Sequence, residues 1–151
     1  MKDPRYYCKG CNLNEASKRD TNLYKEELID HFKNPRNKKN IDNSDFSSNI
    51  HNLSCGDSIS ISGNIEKDEF GILKIKDLGF DGSGCVISIA ATSILTENCI
   101  GKRVEEVLAM KKDYILKLLG IQLGPIRLKC ALLCLNVLQN GLEKFKVEEK
   151  I

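Results

Sequence analysis

Three cysteines stand in short settings whose residue types suit metal ligation: Ser54-Cys55-Gly56-Asp57, Gly82-Ser83-Gly84-Cys85 and Leu128-Lys129-Cys130-Ala131. Thiolate is a soft donor, matched to zinc, copper(I) or iron–sulfur clusters. Asp57 follows Cys55 by two residues and can add an oxygen to the same site. Three thiolates and a carboxylate make four donors, the number that a tetrahedral ion or one small cluster requires. Taken alone, each cysteine has a plainer alternative as a small buried hydrophobe, and Asp57 as a turn residue before a strand. The joint pattern favours a site.

Such donors need rigid elements to carry them. Tyr24, Leu28 and Phe32 recur every four residues, which predicts a helix with those three on one face. It should end near Asn34-Pro35, because proline disfavours helical backbone in the residue before it. Lys38 to Asn52 is rich in Asn, Ser and Asp and reads as a loop. Ile59, Ile61 and Ile65 alternate with polar residues, as in a strand with one buried face. Asp68-Glu69-Phe70-Gly71 supplies a turn into a second strand over Ile72 to Phe80. After Cys85 the period changes: Ile87, Ala90, Ala91, Ile94 and Leu95 form a helical stripe that Gly101 is placed to stop. Short helices follow around Val104, Val107 and Leu108 and over Tyr114 to Leu119, the latter closed by Gly120. Pro125 is suited to open a last helix, apolar nearly all round from Ile126 to Leu142 and therefore expected to be buried. The order of helix, strands and helices gives the α+β class, a small antiparallel β-sheet packed against several helices. On this reading Cys55 precedes a strand, Cys85 starts a helix and Cys130 lies in the first turns of the last one. Gly56, Gly82 and Gly84 are expected to let backbone N–H groups approach bound sulfur or metal.

Composition narrows the class. At 151 residues the chain fits one domain, and 41% hydrophobic with 29% charged residues is ordinary for a soluble globular protein. A net charge of +2, with no basic block, speaks against nucleic-acid binding. The apolar runs are too short to span a membrane, and Met1-Lys2-Asp3-Pro4-Arg5 leads into no apolar stretch of a secretory signal. Seven cysteines without export predict reduced thiols and a cytoplasmic location. Residues 1–21 read as a flexible N-terminal tail. Cys8 and Cys11 in it have zinc-like spacing, but no second pair completes a site. Cys99 is expected to be packing, and His31 structural. Cys134, one turn after Cys130, is either its buried neighbour or a spare sulfur acceptor.

The segments that carry the candidate ligands also carry a resemblance. Asp30-His31-Phe32-Lys33-Asn34-Pro35-Arg36-Asn37, Asn52-Leu53-Ser54-Cys55-Gly56-Asp57, Phe80-Asp81-Gly82-Ser83-Gly84-Cys85-Val86-Ile87-Ser88 and Lys129-Cys130-Ala131 occur in this order. Together they resemble the iron–sulfur cluster assembly scaffolds of the IscU / NifU N-terminal / SufU type, over roughly Leu23 to Leu142 and within a domain of residues 22–147.

The resemblance implies a scaffold that accepts sulfur from a cysteine desulfurase, binds iron, and passes a small iron–sulfur cluster to apo acceptor proteins. A 2Fe–2S cluster would assemble on Cys55, Asp57, Cys85 and Cys130, with zinc in the cluster-free form. The family's aspartate makes the cluster labile, which agrees with a hard oxygen being a poor match for cluster iron. Cys130 is the candidate persulfide acceptor. A helix start and the adjacent Lys129 would both favour its thiolate, although Lys129 also fits a solvated surface lysine. Frataxin and an Hsp70-type chaperone are further implied partners. Lysine before the third cysteine resembles the SufU branch, whereas the 45 positions between Cys85 and Cys130 resemble the compact IscU spacing. Leu123-Gly124-Pro125-Ile126-Arg127 resembles the Leu-Pro-Pro-Val-Lys element that meets the chaperone, with glycine replacing the first proline. The alternative is a SufU-like zinc-dependent sulfurtransferase that activates the desulfurase without building clusters.

Overall fold

Isoleucine alternates with serine from Ser58 to Ser62, so an extended chain here has one apolar and one polar face. The computed structural model describes residues 25–52 and 56–149. Among these, β1 (Phe46–Asn52), β2 (Asp57–Lys67) and β3 (Leu73–Ser83) form an antiparallel sheet in the order β1-β2-β3. Asp57, Ile59, Ile61 and Gly63 are the buried positions of β2, and Ser58, Ser60 and Ser62 face the other way. Ile61 pairs with Phe80 and Ile59 with Gly82. The expected turn joins β2 to β3, with Asp68 Oδ1 accepting the N–H groups of Phe70 (2.8 Å) and Ile72 (2.9 Å).

Strand β1 corrects the expectation of a loop from Lys38 to Asn52. Only Phe46 and Ile50 in its seven residues are large and apolar, too few to give a strand signal. The β2 ladder supplies the rest by pairing Phe46 with Gly63 and Ile50 with Ile59. Neighbouring strands thus override the weak strand preference of Ser and Asn.

Helix α1 (residues 25–33) stops two residues before Pro35. Its buried side chains are Leu28 and His31, whereas Phe32 is 38% exposed. The predicted Tyr24/Leu28/Phe32 stripe is therefore rotated; Tyr24 lies outside the described residues. The rotation follows His31, whose Nδ1 lies 2.7 Å from Ser93 Oγ, and that oxygen also accepts the Arg36 N–H at 2.8 Å. His31 is structural, as expected.

Helix α2 (Val86–Cys99) is buried from Ile87 through Thr96 and packs on β3 and on α5 (Pro125–Glu149). Gly101 ends its run at φ +90°, with its N–H bonded to the Ile75 carbonyl at 2.8 Å. Helices α3 (Val104–Leu108) and α4 (Lys112–Leu119) follow, and Gly120 closes α4 in the left-handed conformation. Helix α5 opens at Pro125 as expected, runs on past Leu142, and lies across β1 and β2. Gln139 Nε2 donates to the carbonyls of Val107 (3.0 Å) and Met110 (2.9 Å), tying α5 to α3. The expectation of burial fails at Ile126, which is 65% exposed because the first turn of α5 projects beyond the sheet. Among the described residues no helix is long and apolar enough to cross a membrane.

The core lies between the inward face of the sheet and the α2/α5 pair. Each fully buried Ile or Leu adds about 1.5–3 kcal/mol, more than a typical hydrogen bond at about 0.5–1.5 kcal/mol, so apolar packing sets the frame. It is tight at Gly63, where a Cβ would lie 2.7 Å from the Asp77 carbonyl oxygen and 2.8 Å from Phe46 Cε1. Gly63→Ala should therefore cost about 1–3 kcal/mol, the usual range for overpacking. Urea unfolding would show this as a lowered midpoint; an unchanged midpoint would mean that the sheet parts freely there.

Candidate metal centre

Asp57 opens β2 at an inward position, and Cys85 is the N-cap of α2. The pairing of Ser58 with Ser83 sets the end of β3 beside the start of β2, and the chain reaches Cys85 two residues later. Cys130, the sixth residue of α5, approaches from the helix layer. One ligand atom from each of Asp57, Cys85 and Cys130 lies within 4.8 Å of the others. Two sulfurs on a tetrahedral zinc, at Zn–S of about 2.3 Å, lie roughly 3.8 Å apart. The three atoms thus need to close by about 1 Å to share one ion, within the reach of side-chain rotation.

The carboxylate is held by the protein. Asp57 Oδ1 accepts the Cys85 backbone N–H at 3.0 Å, and Oδ2 lies 3.6 Å from Cys85 Sγ. Asp57 and Cys130 are each 2% exposed, whereas Cys85 is half-buried. A carboxylate taken out of water is costly unless it is hydrogen-bonded or meets a cation, so the donor set suits a soft or borderline metal ion. Cys55, and with it the fourth expected donor, lies outside the described residues, as do Cys8 and Cys11.

Several expectations change. The Cys85 N–H bonds to Asp57, and Gly84 makes room for side chains: a Cβ there would strike Ser88 Oγ and lie 2.7 Å from Asp57 Oδ1. Cys130 sits in the second turn of α5, beyond the first turn where the helix field acts. The helix-start argument for its thiolate therefore does not hold. Lys129 is exposed beside it. Cys134 is fully buried and donates to the Ala131 carbonyl at 3.3 Å. Burial pushes its thiol up to about 12, against a smaller opposing pull from Thr92. Cys134 is thus a buried neighbour of Cys130. Burial also pushes the Cys99 thiol far up, consistent with packing. His51 is exposed on β1. Ser88 was not foreseen; its signal is a lone hydroxyl three residues after Cys85 among Ile87, Ile89, Ala90 and Ala91.

The sequence pattern of the NifU-like N-terminal domain matches residues 23–151, which include Cys55 and all three gathered donors. The chain belongs to that family. Two named relatives bracket this NifU-like chain. The zinc-dependent sulfurtransferase SufU of Bacillus subtilis (strain 168) is 32% identical over 139 residues, covering 81% of this chain and 90% of its own. The iron–sulfur cluster assembly scaffold protein IscU of Haemophilus influenzae is 32% identical over 129 residues, covering 83% and 98%. A solved NifU-like N-terminal domain from Brucella abortus shares the fold at a TM-score of 0.64 and 16% identity, over 85% of this chain and 96% of its own.

Differential burial makes a testable order of thiol reactivity. In the native metal-free protein, iodoacetamide should label half-buried Cys85 before Cys99 and Cys134, which should react only on unfolding. Peptide mass spectrometry reads the order. Labelling of Cys134 as fast as Cys85 would mean that the α2–α5 interface opens readily.

Proposed function

We propose that this NifU-like chain is a scaffold for iron–sulfur cluster assembly, with Cys55, Asp57, Cys85 and Cys130 as the ligand set and a 2Fe–2S cluster as its cargo. The observation that carries this reading is the gathering of Asp57, Cys85 and Cys130, from three different elements, within 4.8 Å. Buried packing alone has no need to bring a carboxylate to two thiols. The same set suits zinc between rounds of assembly.

The residues divide the work. Cys85, the more accessible thiol, and Cys130, the buried one, hold the cargo as thiolates. Asp57 binds through Oδ2 while Oδ1 keeps the Cys85 N–H. A monodentate oxygen is the weakest donor to soft iron, so release begins there, and the carboxylate still has a partner once the metal has gone. For sulfur delivery, the Cys130 thiolate attacks the outer sulfur of a cysteine desulfurase persulfide. That S–S bond breaks, the desulfurase cysteine leaves as thiolate, and Cys130 becomes the persulfide. At 2% exposure, Cys130 must be uncovered when the donor docks. Apo iron–sulfur proteins receive the cluster. Pro125, Ile126 and Arg127 are exposed, which keeps that segment accessible to an Hsp70-type chaperone; frataxin is the remaining partner of this reading.

A second reading, a zinc-dependent sulfurtransferase, is favoured by Lys129 and by the likeness to the Bacillus subtilis SufU. Anaerobic reconstitution with ferrous iron, cysteine and a desulfurase separates the two. A scaffold develops the visible absorption of a 2Fe–2S cluster, lost in Cys85→Ser, whereas a sulfurtransferase stays colourless and retains zinc. On the reconstituted protein, Asp57→Ala should slow transfer to apo-ferredoxin several-fold and lengthen the cluster's lifetime; transfer at the wild-type rate would reduce Asp57 to a turn residue.

Sulfur delivery has its own test. After brief desulfurase turnover, the mass of one added sulfur atom should appear on the peptide that contains Cys130 and Cys134, and be lost in Cys130→Ser. Retention in that variant with loss in Cys134→Ser would move the role one turn along α5, and label on Cys85 would move it to α2.

A further inference from the structure

Ser88 lies in the first turn of α2 and is 1% exposed, with Ile87 and Ile89 on either side. A hydroxyl in such surroundings is unfavourable unless hydrogen-bonded. Its Oγ donates to the Cys85 carbonyl at 3.2 Å and lies 3.8 Å from Cys85 Sγ, whose single proton has a nearer acceptor in Asp57 Oδ2 at 3.6 Å. The first bond is long for O–H···O, and the same carbonyl already accepts the helical N–H of Ile89 at 3.1 Å. The carbonyl therefore does not depend on Ser88. Gly84 keeps space beside the hydroxyl, since any Cβ there would strike Ser88 Oγ. The backbone is held independently, with Thr92 Oγ1 donating to the Ser88 carbonyl at 2.7 Å.

From this geometry we propose that Ser88 is a positioning residue for the Cys85 sulfur, turning its O–H from the Cys85 carbonyl to Cys85 Sγ when that sulfur binds metal. The inference rests on Cys85 being a metal ligand, as argued above. A metal-bound thiolate carries no hydrogen and can only accept, so on binding the thiol proton is gone and Cys85 Sγ becomes an acceptor for the Ser88 hydroxyl. Rotation about the Ser88 Cβ–Oγ bond aims the hydroxyl hydrogen at that sulfur. A hydrogen bond to a ligating sulfur fixes its lone pairs and draws electron density from the metal–sulfur bond. Ser88 would thus hold the Cys85 sulfur in its ligating orientation and lower its electron density.

Cobalt(II) added to the chelator-stripped protein is the probe, because sulfur-to-cobalt charge-transfer absorption reports the electron density of the ligating sulfur. Alanine is smaller than serine and a better helix former, so Ser88→Ala should keep the fold, as far-UV circular dichroism would record. Its charge-transfer band should move to longer wavelength, and competition with a chromophoric chelator should show zinc affinity about 10-fold weaker. Ser88→Thr, which restores the hydroxyl, should return the band towards the wild-type position. A band in Ser88→Ala at the wild-type wavelength would overturn the proposal and leave the metal site intact. A shift that a folded Ser88→Thr does not reverse would assign the effect to packing, which also overturns it. Wild-type protein without any sulfur-to-cobalt band would overturn the metal-site reading and this inference together.

Discussion

A carboxylate almost closed off from water is tied to the first amide of a buried helix, and the site is built around that bond. Asp57 Oδ1 accepts the Cys85 N–H at 3.0 Å, joining the start of β2 to the start of α2. Strand parity sets it up: the alternation that sends Ile59 and Ile61 into the core sends Asp57 to the same side. Register completes it, because Ser58 opposite Ser83 leaves Cys85 two residues from the carboxylate. A one-residue slip would turn every inward side chain of β2 outward, and Asp57 with them. The packing that stabilises the sheet therefore also protects the geometry of the site.

Burial separates Cys85 from the other described thiols. Cys99 and Cys134 lie within the α2/α5 packing, where the charged form is strongly disfavoured. Cys85 stands half-buried at the helix end, and the buried Cys130 meets it and Asp57 there. Asp57 keeps its bond to the Cys85 amide whether or not its second oxygen is engaged.

The two named relatives are each 32% identical to this chain, so overall similarity does not choose between a scaffold and a sulfurtransferase. The local features also divide, with Lys129 on one side and the compact spacing between Cys85 and Cys130 on the other. What separates the readings is chemical: whether iron and sulfide accumulate on the ligands or only a sulfur atom passes through.

Much of this was legible in the chain itself. Glycine and proline punctuate α4 and α5 through backbone restrictions that need no neighbours, and the Ile/Ser alternation of β2 reports its two faces directly. The candidate donors stood out because thiols beside glycines, with a carboxylate two residues on, are chemically unusual at short range. Contacts between distant segments were not legible. Strand β1 exists because β2 offers it a ladder, and Phe32 points outward because His31 finds Ser93 in another helix. The sequence places Cys130 five residues into α5, but only packing shows it buried against Asp57 and Cys85. Residue type and periodicity are local properties and survive in one dimension. Exposure and the meeting of donors from three elements depend on how the elements pack, so only the tertiary structure decided them.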